Sequence, residues 1–378
     1  VSQSGQQLSL DAVQRPLADL LDITVHSQAD ADKLGMFFNA DYFGVDRNYT
    51  VGMMLRAADF LTVDGNFVLR NSVADVSLTD GSAKTRRWTV GGANLSAFVG
   101  LNGPYRTDLN HDGDFNDEGE GPNAAAAGFD LQGVDVALAL HMETTATGGR
   151  ALPRSWLSLK ATADSATEVG IPFMSLQASA MAIDINAGTA GDNVVDLKAG
   201  KALNVATGDG NQTVTLDFDS ARGTQVKASA AFILNIADFV TASGTLGFER
   251  SLRDVVLADG TKAKTEMLTF GGENLHAFVG LNGPADGIYN ASSHPDAMGL
   301  ALTDVDFALA LFSPRAGETA SKGLKWAAVK ATAGSVEVVG MPELTLAARN
   351  LSLDLNLVDT TGFGRPVNGD NKVIDFAG

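Results

Sequence analysis

The chain contains no cysteine. Disulfides, thiolate metal sites and cysteine nucleophiles are therefore excluded, and the fold must rest on packing and hydrogen bonding alone. Aromatic residues are scarce at 7%, with three tryptophans, which suits thin, closely packed sheets better than a bulky globular core. Cations are in the minority as well: 27 Lys and Arg stand against 45 Asp and Glu, a formal net charge of -18. Nucleic acid and anionic membranes are bound through clustered Lys and Arg, so neither is an expected partner. No apolar run approaches the roughly 20 residues of a transmembrane helix, and membrane insertion is not expected.

The motifs of common catalysts are missing too. There is no Gly-x-Ser-x-Gly elbow and no Walker-type phosphate loop. The five histidines (His26, His111, His141, His276 and His294) form no pair at helical spacing, so they read as surface or local polar residues rather than zinc ligands. An enzyme is therefore not the expectation. The chain opens on Val1 without a charged and then apolar leader, and reads as a processed or excised segment.

What is present is a duplication. Residues 88–104 read WTVGGANLSAFVGLNGP and residues 268–284 read LTFGGENLHAFVGLNGP, 13 identities in 17 positions at an offset of 180. VDVALAL at 134–140 answers VDFALAL at 305–311 at an offset of 171, and KATA at 160–163 recurs at 330–333 at an offset of 170. The fall from 180 to 171 places nine extra residues in the first copy, between Pro104 and Gly128. Both copies close alike, DNVVDLKAG at 192–200 and DNKVIDFAG at 370–378. The organisation read from this is a helical segment at 1–23, a first β module at 24–201 and a second at 202–378.

Val305, Phe307, Leu309 and Leu311 alternate with Asp306, Ala308 and Ala310, a period of two that belongs to a half-buried strand. Asp259-Gly260 sits at the centre of a hairpin pattern. Leu344 and Leu346 alternate in one phase and Leu351, Leu353 and Leu355 in the other, as do Met174 and Leu176 against Met181, Ile183 and Ile185. That slip predicts a β-bulge or a corner leading to a second sheet. The expected class is all-β: two tandem antiparallel modules, as an elongated sandwich or a β-solenoid. Leu10, Val13, Leu17, Leu20 and Leu21 have helical spacing and predict one short helix before them, which either docks a neighbouring subunit or, the favoured reading, caps the open end of the first module.

The nine-residue insertion is acidic. Residues 108–120 read DLNHDGDFNDEGE, with Asp108, Asn110 and Asp112 at alternate positions before Gly113. Side-chain oxygens at positions 1, 3 and 5 with glycine at 6 let a loop wrap a hard cation. The segment resembles the calcium loops of dockerin-type, thrombospondin type 3 and adhesin B-type repeats. The resemblance implies Ca2+ bound by Asp108, Asn110 and Asp112, with Asp114 next. The closing acid falls to Asp117, Glu118 or Glu120, because the twelfth position is Gly119.

Tandem duplication, acidity, lack of cysteine and one calcium loop together look similar to repeat modules of giant secreted bacterial surface proteins. The functional expectation is an extracellular structural or adhesive protein that pairs with copies of itself end to end, through an edge near Val373 and Phe376. A polysaccharide-binding or carbohydrate-active protein is the alternative. Asp135, Asp306, Asp184 and Asp354 occur once per copy, which suits a repeated scaffold better than one active site.

Overall fold

The structure, a computed structural model, describes residues 21–38, 47–57, 60–109, 117–120, 122–145, 153–189, 191–208, 212–315, 318, 324–341, 343–344, 346–359 and 372–376. It divides into two compact units, the first formed by Val1–Pro172 and Ser179–Ser220, the second by Phe173–Ala178 and Ala221–Gly378. The protein is mostly β, and every described strand pairing is antiparallel.

In the first unit β1 (Leu21–Val25), β2 (Asn48–Ala57), β3 (Leu61–Leu78), β4 (Gly81–Leu101), β5 (Ala127–Glu143), β6 (Ser155–Val169) and most of β7 (Met174–Gly188) follow one another in chain order across one sheet. A small hairpin, β8 (Leu203–Ala206) and β9 (Thr213–Leu216), forms a separate two-stranded sheet. The second unit repeats the meander in β10 (Gln225–Ile236), β11 (Val240–Val256), β12 (Lys262–Leu281), β13 (Met298–Pro314), β14 (Lys325–Val339) and β15 (Ala347–Asp359). Strand order equal to chain order is the signature of hairpin connections, and it sets aside the solenoid alternative.

One helix, α1 (Gln28–Phe38), lies near the N-terminus. Ser27 caps it: its hydroxyl accepts the Asp30 N–H at 3.2 Å and donates to the Asp30 carboxylate at 2.6 Å. Such reciprocal bonding satisfies amides that a helix start leaves open. Leu34 and Phe37 are buried against Val51, Met53, Phe67 and Leu69 of the sheet. The helix read at Leu10 to Leu20 lies outside the described residues, and Leu21, placed at its end, instead opens β1.

The two copies share their internal geometry position by position. Gly92 pairs with Val136 and Leu95 with Val134, and the same irregularity recurs where Gly272 pairs with Phe307 and Leu275 with Val305. Within it Asn94 and Asn274 both take left-handed φ, 54° and 51°. Asn tolerates that region better than most residues because its short amide bonds locally. The Gly103-Pro104 peptide of the first copy is cis.

The phase slip of the leucines has a different cause from the bulge or corner expected. Asn350 (φ 53°) and its counterpart Ala180 (φ 48°) sit inside single strands, and the β14–β15 register runs unshifted past Asn350, from Ser335 opposite Arg349 to Ala333 opposite Leu351. A left-handed residue turns the side chains over without inserting an extra one. The Asp259-Gly260 hairpin forms as expected, with Gly260 at φ 82° and the Asp259 carboxylate accepting the Thr261 N–H at 2.8 Å.

Each copy closes with a clasp. Trp156 and Trp326 are buried, and their indole N–H groups donate to Asn193 O at 2.9 Å and to Lys372 O at 2.7 Å. Asn186 and Asn356 donate to Val195 O and Ile374 O at 2.9 and 2.8 Å, and Leu78 and Leu257 bridge to Val195 and Ile374. These bonds match VVDL at 194–197 with VIDF at 373–376, an offset of 179 and one residue away from the alignment of the DN pairs.

Candidate functional site

Three features stand apart from the scaffold: the acidic loop, the cover over each sheet, and the last strand. In the loop, Asn110, Asp112 and Asp114 lie outside the described residues. Of the rest, Asp117 and Glu118 point to solvent while Glu120 is 1% exposed. Its carboxylate accepts the Leu109 N–H at 2.7 Å and the Asp117 N–H at 3.3 Å, tying the start of the loop to its end. Of the three candidates for the closing position, Glu120 is the buried one. Among the described residues no three acidic or histidine side chains form a metal cluster, so a full shell would also need the side chains of Asn110, Asp112 and Asp114.

The cover differs sharply between copies. In the first, β8 and β9 lie over one face of β4, β5 and β6, and Ala137 and Ala139 are fully buried beneath Val205, Leu216 and Phe218. Gly91 makes this approach possible, since a Cβ there would lie 2.1 Å from Ala206 O. Lys160 pairs with Asp217 beside the hairpin, and its ammonium stands 5.6 Å from the Phe218 ring. Between the hairpin and the sheet a cleft of about 230 Å³ is lined by Asn48, Arg70, Arg87, Thr89, Asn204 and Gln212, among others. On the opposite face, α1 covers the apolar side chains of β2 and β3.

Among the described residues of the second unit, the corresponding strands carry no such hairpin. Register sets Leu351, Leu353, Leu355 and Leu357 of β15 beside Ala333, Ala331, Val329 and Ala327 of β14, and those beside Val305, Phe307, Leu309 and Leu311 of β13. The four β15 leucines are 41–48% exposed. β15 pairs with β14 on one side, and among the described residues no strand pairs with its outer edge. Residues 373–376, expected to form that edge, are instead held down on the β11–β12 turn: Ala258 N donates to Val373 O and Asp375 N to Val256 O, both at 2.8 Å. Among the described residues the edge without a pairing strand belongs to β15.

With this geometry in view, comparison with known proteins is brief. No family model, curated protein or solved structure matches the chain.

The remaining candidate residues take structural places. Asp135 and Asp306 accept the backbone N–H of Asn94 and Asn274. His141 was expected among the surface histidines and is fully buried instead, 3.4 Å from the Thr85 hydroxyl. Burial, aided by the positive charge of Arg87, lowers its pKa to about 3. The second copy carries Phe312 there, so the position is an apolar one in which histidine stays neutral. His26 bonds the Asp64 carboxylate at 2.6 Å and locks the entry to α1. Sequence reading missed α1, although Ser27 and Asp30 spell the capping signature that could have found it.

Proposed function

We propose that this chain is a structural module of an extracellular bacterial surface protein, and that it joins copies of itself by strand addition at β15. The observation that carries the reading is the outer edge of β15, which among the described residues has no pairing strand and lies beside four half-exposed leucines. Natural edge strands are usually blunted by Lys, Pro or bulges, because an open row of amides and carbonyls templates another strand. From Leu351 to Leu357 the strand reads LSLDLNL, with neither Lys nor Pro. A strand added antiparallel there would continue the meander that the chain already follows.

Calcium belongs to the same reading. Ca2+ held by Asp108, Asn110, Asp112, Asp114 and Glu120 would neutralise the crowded carboxylates of the first-copy loop and fix its shape, with Asp117 and Glu118 at its rim. The acidic surface and absent cysteine agree with a long secreted chain.

The cleft under the β8–β9 hairpin favours a second reading, a polysaccharide-binding module. Amides from Asn48, Asn204 and Gln212 together with Arg70 and Arg87 offer the donors and acceptors that sugar hydroxyls need. The two readings separate in one experiment. Sedimentation of the purified chain with and without a glycan panel reports self-association for the first, and saturable binding abolished by Arg87→Ala for the second.

A further inference from the structure

We infer that the second unit has a docking site for a β-hairpin of the β8–β9 kind, on the sheet face that matches the one β8 and β9 cover in the first. The face is the one opposite the β15 leucines, so the inference does not depend on how β15 pairs.

The same positions are used in both copies. Ala308 and Ala310 pair with Gly271 and Thr269 as Ala137 and Ala139 pair with Gly91 and Thr89. Beneath the hairpin Ala137 is 0% exposed, whereas Ala308 lies open to solvent. At Gly91 an added Cβ would collide with the hairpin backbone, while at Gly271 the nearest atom is Phe307 O at 3.4 Å, an ordinary contact. The floor has kept its small residues although nothing described presses on them.

The rim carries the same message. Leu197, whose N–H donates to Phe218 O at 2.7 Å, is 5% exposed, and its counterpart Phe376 is 62% exposed. Phe376 rests against Phe312 on one side, with ring centroids 6.4 Å apart. Lys330 stands where Lys160 stands, opposite Asp354 in the register and exposed. In the first unit that lysine meets Asp217 of the hairpin.

These features specify the occupant. It brings a backbone carbonyl close over Gly271, apolar side chains onto Ala308 and Phe376, and a carboxylate to Lys330. That is the chemistry of residues 203–218: Val205, Leu216 and Phe218 for the apolar contacts, Asp217 for the charge. The paired lysine and aspartate decide orientation more than strength, because an exposed ion pair contributes little by itself.

Appending residues 198–220 behind Gly378 tests this in the intact chain. Hydroxyl-radical footprinting of Phe376 and Met267 is the readout, with thermal melting to verify the fold. The appended hairpin should lower the reactivity of Phe376 several-fold. Gly271→Ala in the same chain should restore it while leaving the melting temperature of the unextended chain unchanged. As a synthetic peptide, the segment should bind the unextended chain saturably, and Lys330→Glu should weaken it by up to about fivefold, the scale of an exposed ion pair. Equal Phe376 reactivity with and without the appended hairpin would overturn the inference. So would protection that rises with concentration in the unextended chain, since a second copy would then be the occupant.

Discussion

Asn274 donates its backbone N–H to the Asp306 carboxylate at 2.7 Å, and Asn94 repeats the bond to Asp135 at 2.9 Å. Each pair sits where the ladder between two long strands is interrupted. The carboxylate supplies the acceptor that the interrupted ladder does not. Two acids that recur once per copy, and that could be taken for chemistry, are pins for an irregular turn of the sheet.

Asp306→Ala should therefore destabilise the second unit by about 0.5–1 kcal/mol, the lower end of the range for a hydrogen bond because this one is exposed. Asn274→Gly, which keeps the left-handed backbone, should cost less than Asn274→Ala. Urea denaturation of the three variants measures both expectations. Equal stability of Asp306→Ala and the parent would remove the pin.

His141 makes stability depend on pH. Its pKa falls from an ordinary value near 6.5 in the unfolded chain to about 3 when folded. The unfolded state then binds the proton first. This contribution to stability is complete above pH 6.5 and is lost as pH drops from there toward 3, by roughly 4–5 kcal/mol in all. His141→Phe installs the residue the second copy carries as Phe312, and should flatten that part of the curve. Denaturation at a series of pH values reads the slope, and an unchanged slope in the variant would assign the acid lability to other groups.

The acidic loop should respond to calcium locally. Chelation should expose residues 105–127 to protease while the sheets keep their far-ultraviolet circular dichroism, because the second copy builds the same strands without the insertion. Glu120→Gln should weaken calcium binding more than Asp117→Asn or Glu118→Gln, since Glu120 alone of the three faces inward. Identical cleavage with and without chelator would remove calcium from the account.

Much of the fold was legible because its signals are local. Alternation through Val305, Phe307, Leu309 and Leu311 marks β13, Asp259-Gly260 marks the β11–β12 hairpin, and the 180-residue offset predicts shared register at Leu95 and Leu275. What could not be read are relations between segments distant in sequence. Nothing near Gly91 says that Ala206 will lie on it, and nothing near residues 373–376 says that Trp326 and Asn356 will hold them down. The leucine slip was visible, but a bulge and a left-handed residue leave the same trace in a sequence.

The central claim, that β15 is the assembly edge, is tested most directly by sedimentation velocity across concentration. From about 1 μM to about 1 mM, a span of roughly 4 kcal/mol in association free energy, the parent chain should shift to larger species. Leu353→Lys combined with Leu355→Lys places charges along the open edge and should keep the chain monomeric with its melting temperature little changed. A parent chain that sediments as a monomer throughout, or a double variant that assembles as readily as the parent, would contradict the account.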